Sequence, residues 1–307
     1  VGRYIARRLL QMIPVFLLAT MAIYYLNFAL PGDPIAALGG DKPLSPDVVA
    51  QLRDQYNLDD PFIVQYLKWL GGILTGDFGL TFRGQEVSEI LSDRWPVTIK
   101  LGLLALLFEA VFGILLGVAA ALKRNSRFDN LSLAFTTLLI AVPTFVLGFT
   151  AQYIFGVKLG WFPVAGIQDG LQSYILPAMV LAALSLAYVM RLTRTSVIEN
   201  VRSDFRRTAI AKGLSPRQVT SKHVLRNSLI PVVTFLATDL GALMGGAIVT
   251  EGVFNIPGVG NAIFQGIKLQ EGTTVVGISV VLIIIYLFAN LAADIMVAFL
   301  DPRIRYE

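Results

Sequence analysis

Residues 204–231 read Asp204-Phe205-Arg206-Arg207-Thr208-Ala209-Ile210-Ala211-Lys212-Gly213-Leu214-Ser215-Pro216-Arg217-Gln218-Val219-Thr220-Ser221-Lys222-His223-Val224-Leu225-Arg226-Asn227-Ser228-Leu229-Ile230-Pro231. Two helix starts and one stop are written into them. Asp204 can cap a short helix, Phe205 to Lys212, which Gly213 ends in a left-handed turn. Ser215-Pro216-Arg217-Gln218 is a capping box with proline at the first helical position. It opens a second helix through Val219, His223, Val224 and Leu225. Pro231 then marks entry to an apolar run. The pattern is a helix, a glycine break and a second helix that feeds into a long apolar segment. Nine Lys and Arg residues lie between Arg191 and Arg226, against only Glu199 and Asp204. A basic stretch of this kind suits anionic lipid, but two specified starts and a stop describe a shaped docking element.

Outward from this element the chain is short of charge. Of 307 residues 55% are apolar and 15% charged, with a net charge of +4. An ordinary soluble domain carries roughly 25% charged residues. The deficit falls in blocks, and a membrane span needs about 20 mostly apolar residues. Six stretches qualify or nearly so: Leu9–Leu30, Leu101–Leu122 with Glu109, Leu131–Val157 with Pro143, Tyr174–Met190 with Pro177, Leu229–Thr250 with Asp239, and Thr274–Leu300 with Asp294. The fourth is the shortest. Both prolines are expected to kink their helices. The first stretch follows Arg3, Arg7 and Arg8. It is longer than a signal-peptide core and lacks a small-residue cleavage site, so it reads as an uncleaved helix. With a cytoplasmic N-terminus, seventeen Lys and Arg fall inside and seven outside, with Lys100 at a helix end. Basic residues favour the cytoplasmic side, which predicts both termini there. The absence of cysteine and the single histidine, His223, exclude disulfides, thiolate metal sites and any site needing two imidazoles.

The organisation expected is 1–30 for the N-terminus and first span, 31–97 for an external layer, 98–300 for a five-helix core containing the basic element 191–227, and 301–307 for the C-terminus. The external layer holds ten acidic residues against five basic ones. Ser45-Pro46-Asp47 starts one helix, with Val48, Val49, Leu52 and Tyr56 on one face. Asp60-Pro61 starts another, which Gly71-Gly72 and Gly76-Asp77 break. The layer reads as a partly amphipathic cap on the membrane surface and a platform for an external partner.

The run Arg207 to Leu214, with His223, Arg226-Asn227 and Pro231, resembles the cytoplasmic loop of ABC importer permeases, specifically the dipeptide/oligopeptide/nickel branch. The broader family has Glu-Ala-Ala where this chain has Arg207-Thr208-Ala209, a form similar to the peptide branch. Arg7-Arg8-Leu9, Pro31-Gly32-Asp33-Pro34, Leu58-Asp59-Asp60-Pro61, Gly76-Asp77-Phe78-Gly79, the run Glu251 to Gly260 and Leu300-Asp301-Pro302-Arg303 carry the resemblance across nearly the whole chain. It is closest to the first permease subunit, the one with the large external loop. The resemblance implies an all-α membrane protein: six transmembrane helices of the type I ABC importer permease fold, with a helical external layer between helices 1 and 2. It also implies half of a translocation pathway for dipeptides or short oligopeptides, with nickel, glutathione or another small solute as alternatives within the class. The implied partners are a second homologous permease, two cytoplasmic ATPases, an extracytoplasmic substrate-binding protein and membrane lipid, with no nucleic acid. On this reading Arg207, Thr208, Ala209, Ala211, Lys212, Gly213, Leu214, Arg226 and Asn227 couple to the ATPases. The chain has no Gly-x-x-x-x-Gly-Lys-Ser/Thr, so it cannot cradle ATP phosphates itself. ATP and magnesium belong to the partners, and no catalytic or metal-binding residue is expected here.

Intramembrane acids are costly and usually face the bundle interior or a cavity. Asp239, mid-way along the helix wired to the basic element, is the first pathway candidate; Asp294 reads as structural and Glu109 stays open. Gly241, Gly245 and Gly246 permit close helix approach and are packing or pathway-wall candidates, while Gly113-x-x-x-Gly117 reads as packing. Asn255 and Pro257 lie in an external turn where the resemblance suggests a short gating helix. A proton-coupled transporter using the acids as relays would leave the capped loop unexplained. An intramembrane enzyme lacks the usual His-Glu-x-x-His, cysteine or Gly-x-Gly-Asp signature.

Overall fold

The computed structural model describes residues 2–28, 45–55, 57–81 and 84–300. Twelve helices follow one another in them: α1 Gly2–Phe28, α2 Pro46–Gln55, α3 Phe62–Thr75, α4 Val87–Leu122, α5 Arg127–Ala141, α6 Thr144–Lys158, α7 Gln172–Val201, α8 Asp204–Ala211, α9 Pro216–Ser228, α10 Ile230–Phe254, α11 Val259–Lys268 and α12 Gly272–Leu300. Helices α4, α6 and α9 each contain a π turn, at Glu109–Gly113, Gln152–Lys158 and Thr220–Val224. Helices α1, α4, α7 and α12 are each long and apolar enough to cross a membrane, and there are up to six spans if the bent pairs α5–α6 and α9–α10 each count as one. The Pro31 to Pro34 and Leu300 to Arg303 motifs lie wholly or mainly outside the described residues, as do the ends of the first span and of the chain.

Three spans differ from their sequence reading, each for a physical reason. Helix α4 starts at Val87 rather than Leu101, so its first turns come from what looked like the external layer. Its charged residues hide a buried face in which Val87, Ile90 and Leu91 pack on Val259, Ile263 and Ile278. The third stretch is two helices at 107°, not one kinked span. Val142 is extended, with ψ 126°, the conformation favoured before a proline. The fourth stretch is far from short: α7 has 30 residues and continues through Pro177 and past Met190. Its polar second half is helical because its arginines find partners. Arg194 grips Asp129 of α5 with two bonds of 2.6 and 2.7 Å, and Arg191 reaches Thr137 at 2.7 Å.

Helix α7 is the centre of the bundle. Its most apolar window is 61% buried, against 11% for α1, and it packs on α4, α5, α6, α9 and α10. Gly113 and Gly117 let α4 approach it closely, as their spacing predicts. A Cβ on Gly117 would stand 2.6 Å from the Met190 carbonyl oxygen and from Thr193 Cβ. Gly117→Val is therefore expected to push α4 off α7 and to cost at least about 1–3 kcal/mol. The melting temperature of the purified protein should fall, whereas Gly71→Val, with open space around it, leaves it nearly unchanged. Equal melting of the two variants would refute the close packing.

Helix α3 runs through Gly71 and Gly72 and ends at Gly76, whose φ is +88°. The expected break at 71–72 does not occur. A helical glycine costs about 1 kcal/mol, and α3 is held elsewhere by aromatic packing. Tyr66 and Trp69 stack around Tyr24 of α1 with ring centroids 5.9 and 5.0 Å away, and the Tyr66 hydroxyl lies 2.9 Å from Thr20 Oγ1. Asp294 is tied to Arg8 at 3.2 Å, joining α12 to α1.

Candidate functional site

Helix α10 links three constellations. At its first end, α8 and α9 form a compact hook. The residue at the N-cap position of α8 is Ser203, and its side chain makes no cap bond. Asp204 is already helical, one residue earlier than its expected capping role, and its ion pair with Arg207 at 3.7 Å is exposed. Gly213 takes φ +83° to turn the chain. The capping box of α9 is present: the Gln218 amide donates to Ser215 Oγ at 3.4 Å and the Ser215 amide to Gln218 Oε1 at 3.1 Å. Helix α9 then meets α10 across Leu229 at 42°.

The hook shares a core with α4 and α7. Ala209, Val219 and Val224 pack against Ala121 of α4 and Val197 of α7. The Ser228 hydroxyl donates to the Val224 carbonyl at 2.8 Å. Nine hook residues were coupling candidates by resemblance, and two of them face inward. Ala209 is 7% exposed, and Leu214 is half-buried against the same core. Arg207, Thr208, Ala211, Lys212, Gly213, Arg226 and Asn227 are exposed. So is Ile210, an apolar side chain 44% exposed between them. Its exposure became legible only once the direction of α8 was known. His223 is exposed.

Midway, a cleft of about 290 Å³ opens between α6, α7 and α10, lined among others by Thr144, Ser185, Tyr188, Phe235, Asp239 and Leu243. Asp239 thus sits in a cleft wall. Behind it is Glu109, fully buried on the π turn of α4. It faces Asp239 and Ser185. Neither Glu109 oxygen, nor Asp239 Oδ2, is satisfied by a hydrogen bond. Sequence reading left Glu109 open because nothing local tells which helix it meets.

The glycines of α10 do not share one face contact. A Cβ on Gly241 would stand 2.9 Å from Tyr286 Cδ2 of α12, so this position serves packing. Gly245 is exposed and meets nothing within 4 Å. The surroundings of Gly246 lie outside the described residues.

At the far end of α10, Glu251 is fully buried. Its Oε1 accepts from the Thr98 hydroxyl of α4 at 2.7 Å, and its Oε2 from the Asn261 amide of α11 at 2.8 Å. Thr98 in turn accepts from the Val259 amide at 2.8 Å. Asn255 ends α10 in a left-handed conformation, φ 48°. Asn255 and Pro257 are exposed, while Ile256 between them and Gly258 after them are buried. A Cβ on Gly258 would collide with the Glu251 carboxylate, and one on Gly260 would stand 2.6 Å from Ile248 Cα. The short helix expected at this turn is α11, which follows it. Glu251 and Thr98 were missed as site residues. The acid lay within a quoted motif, but its partners are 153 positions upstream and 10 downstream.

Comparison with known proteins gives a consistent picture. Residues 113–306 match the family described as binding-protein-dependent transport system inner membrane component, and residues 1–102 match its N-terminal companion. The chain is 35% identical over 305 residues to a glutathione transport system permease protein of Salmonella paratyphi A, covering 99% of both chains. It is 37% identical over 311 residues to a putative peptide transport system permease protein of Brucella abortus, again covering 99% of both. Among solved structures, an inward-facing MetNI methionine ABC transporter aligns with TM-score 0.58 and 19% identity, over 69% of this chain and 96% of that one. That likeness concerns the fold.

Proposed function

Because the chain belongs to the inner membrane components of binding-protein-dependent transport systems, we propose that it is one permease half of an ATP-driven importer of dipeptides or short oligopeptides. The observation that carries this reading is α10. One helix joins the hook α8–α9, the cleft at Asp239 and the Glu251 latch on α11. Asp239 and Glu251 are twelve residues apart, about 18 Å of helix at 1.5 Å per residue. A push on the hook is thereby delivered to both other sites.

In this reading two cytoplasmic ATPases, which bind ATP and magnesium, seat the exposed face Arg207, Thr208, Ile210, Ala211, Lys212 and Gly213. The hook moves with them and carries the ends of α4 and α7, because the three share one core. A second homologous permease completes the pathway as a heterodimer and covers the open side at Gly245. An extracytoplasmic binding protein docks on the external layer to which α3 belongs. Both termini lie in the cytoplasm, following the surplus of basic residues on that side. The peptide and glutathione names of the relatives support a small peptide-like solute; nickel is the alternative within the class.

Co-purification should bring down two ATPases, a second permease and a binding protein. Proteoliposomes holding this assembly should accumulate a labelled dipeptide only with ATP inside. Accumulation driven instead by an imposed proton gradient without ATP would restore the proton-coupled reading.

A further inference from the structure

We propose that Asp239 and Glu109 form a subsite for a primary ammonium group of the transported solute, a step that deepens the transport reading above and rests on it. The two carboxylates come from different helices, α10 and α4, and face each other beside Ser185. Among the described residues neither has a basic partner, and Glu109 Oε1, Glu109 Oε2 and Asp239 Oδ2 are buried without a well-formed hydrogen bond, beside the Ser185 hydroxyl. A buried carboxyl left unpaired costs several kcal/mol in an apolar interior. Evolution had cheaper residues to place there if the task were packing alone. Three unsatisfied acceptors match the three donors of an ammonium, and its positive charge suits a pair of acids.

The site is also open to a ligand. Asp239 and Ser185 line the 290 Å³ cleft, so a solute in the cleft meets Asp239 directly, with Glu109 buried immediately behind it. Tyr188 and Phe235 lie on the same wall with ring centroids 6.3 Å apart. Aromatic faces attract cations, so the cleft favours an ammonium on approach as well. A neutral or acylated terminus would leave the acids unpaired, so the subsite discriminates between free and blocked amino ends.

The chain has no cysteine, which permits a direct test. Leu184, 44% exposed in the cleft wall, is replaced by cysteine in the full complex, with any cysteines of the partner chains removed. The rate of maleimide labelling is followed with alanyl-alanine or N-acetyl-alanyl-alanine at rising concentration. The free dipeptide should slow labelling at a concentration about tenfold or more below that of the acetylated one. Asp239→Asn, a near-isosteric change in the cleft wall, and Glu109→Gln should each erase that difference. A general folding defect would weaken both protections together and leave their ratio. Equal protection by the two dipeptides, no protection by either, or a ratio that survives Asp239→Asn overturns the subsite. ATP-driven uptake of alanyl-alanine by the unmodified complex is measured alongside. Uptake without ammonium-selective protection removes the subsite alone, whereas absence of uptake removes the peptide-import reading beneath it.

Discussion

Glu251→Ala is expected to abolish uptake and to lower the stability of the purified complex by about 2–5 kcal/mol. The substitution leaves the Thr98 hydroxyl and the Asn261 amide without their acceptor. A buried donor without a partner costs about 1–3 kcal/mol, and the emptied volume adds a cavity term. The consequence for transport follows from what the carboxylate joins. It holds the end of α10, the first third of α4 and the start of α11 in one arrangement. Without it α11 is held to the bundle by the apolar packing of Val259, Ala262 and Ile263 alone. Thr98→Val should cost about 1–3 kcal/mol by itself, because the Val259 amide then loses its acceptor. The two changes share a network, so the double variant should be less destabilised than the sum by about 1 kcal/mol or more. Thermal melting of the four proteins provides the cycle. Strict additivity would mean that Glu251 and Thr98 act independently and that the latch is not a unit.

The second large effect separates the two faces of the hook. Ala209→Phe forces a ring into the core formed with Val219, Val224, Ala121 and Val197. Overpacking of this kind costs about 1–3 kcal/mol, and little correctly assembled complex should be recovered. Arg207→Glu with Lys212→Glu changes two exposed side chains, so the permease should fold and melt as before. What should fail is the contact with the ATPases: uptake drops about tenfold or more, equivalent to 1.4 kcal/mol or more, and hydrolysis no longer responds to the loaded binding protein. The comparison is made on melting, co-purified ATPase and stimulated hydrolysis in parallel. If the charge reversal melts early while Ala209→Phe assembles normally, the assignment of inner and outer faces is wrong.

Much of the architecture was legible because membrane spans and caps are local signals. The six apolar blocks fall on four long helices and two bent helix pairs, and Ser215-Pro216-Arg217-Gln218 marked the start of α9. Failures came where a distant partner decides. Residues 87–97 looked like part of a polar layer, since Glu89, Asp93 and Arg94 mask the buried Val87, Ile90 and Leu91. The inner half of α7 was cut off at Met190, because a hydropathy reading cannot know that Asp129 waits for Arg194 65 positions away. The same holds at the site. Asp239 was visible as a mid-span acid, but Glu109 acquired meaning only when the fold set it opposite. Glu251 sat in a recognisable run whose polar partners no spacing rule reveals. In Ala209 the residue type was read correctly and its direction was not, since an alanine suits either a close docking surface or a tight core.

That direction bears on how such a transporter changes partners over generations. Of the three positions where the broader family pattern reads Glu-Ala-Ala, Arg207 and Thr208 are exposed and Ala209 is buried. The two that depart from the pattern are on the surface, and the one that keeps it is inside. The hook is seated by its own chain, so its outward residues can drift with a changing ATPase without unseating it. If the outward face is the ATPase contact proposed above, lineages can diverge there while the packing behind it stays the same.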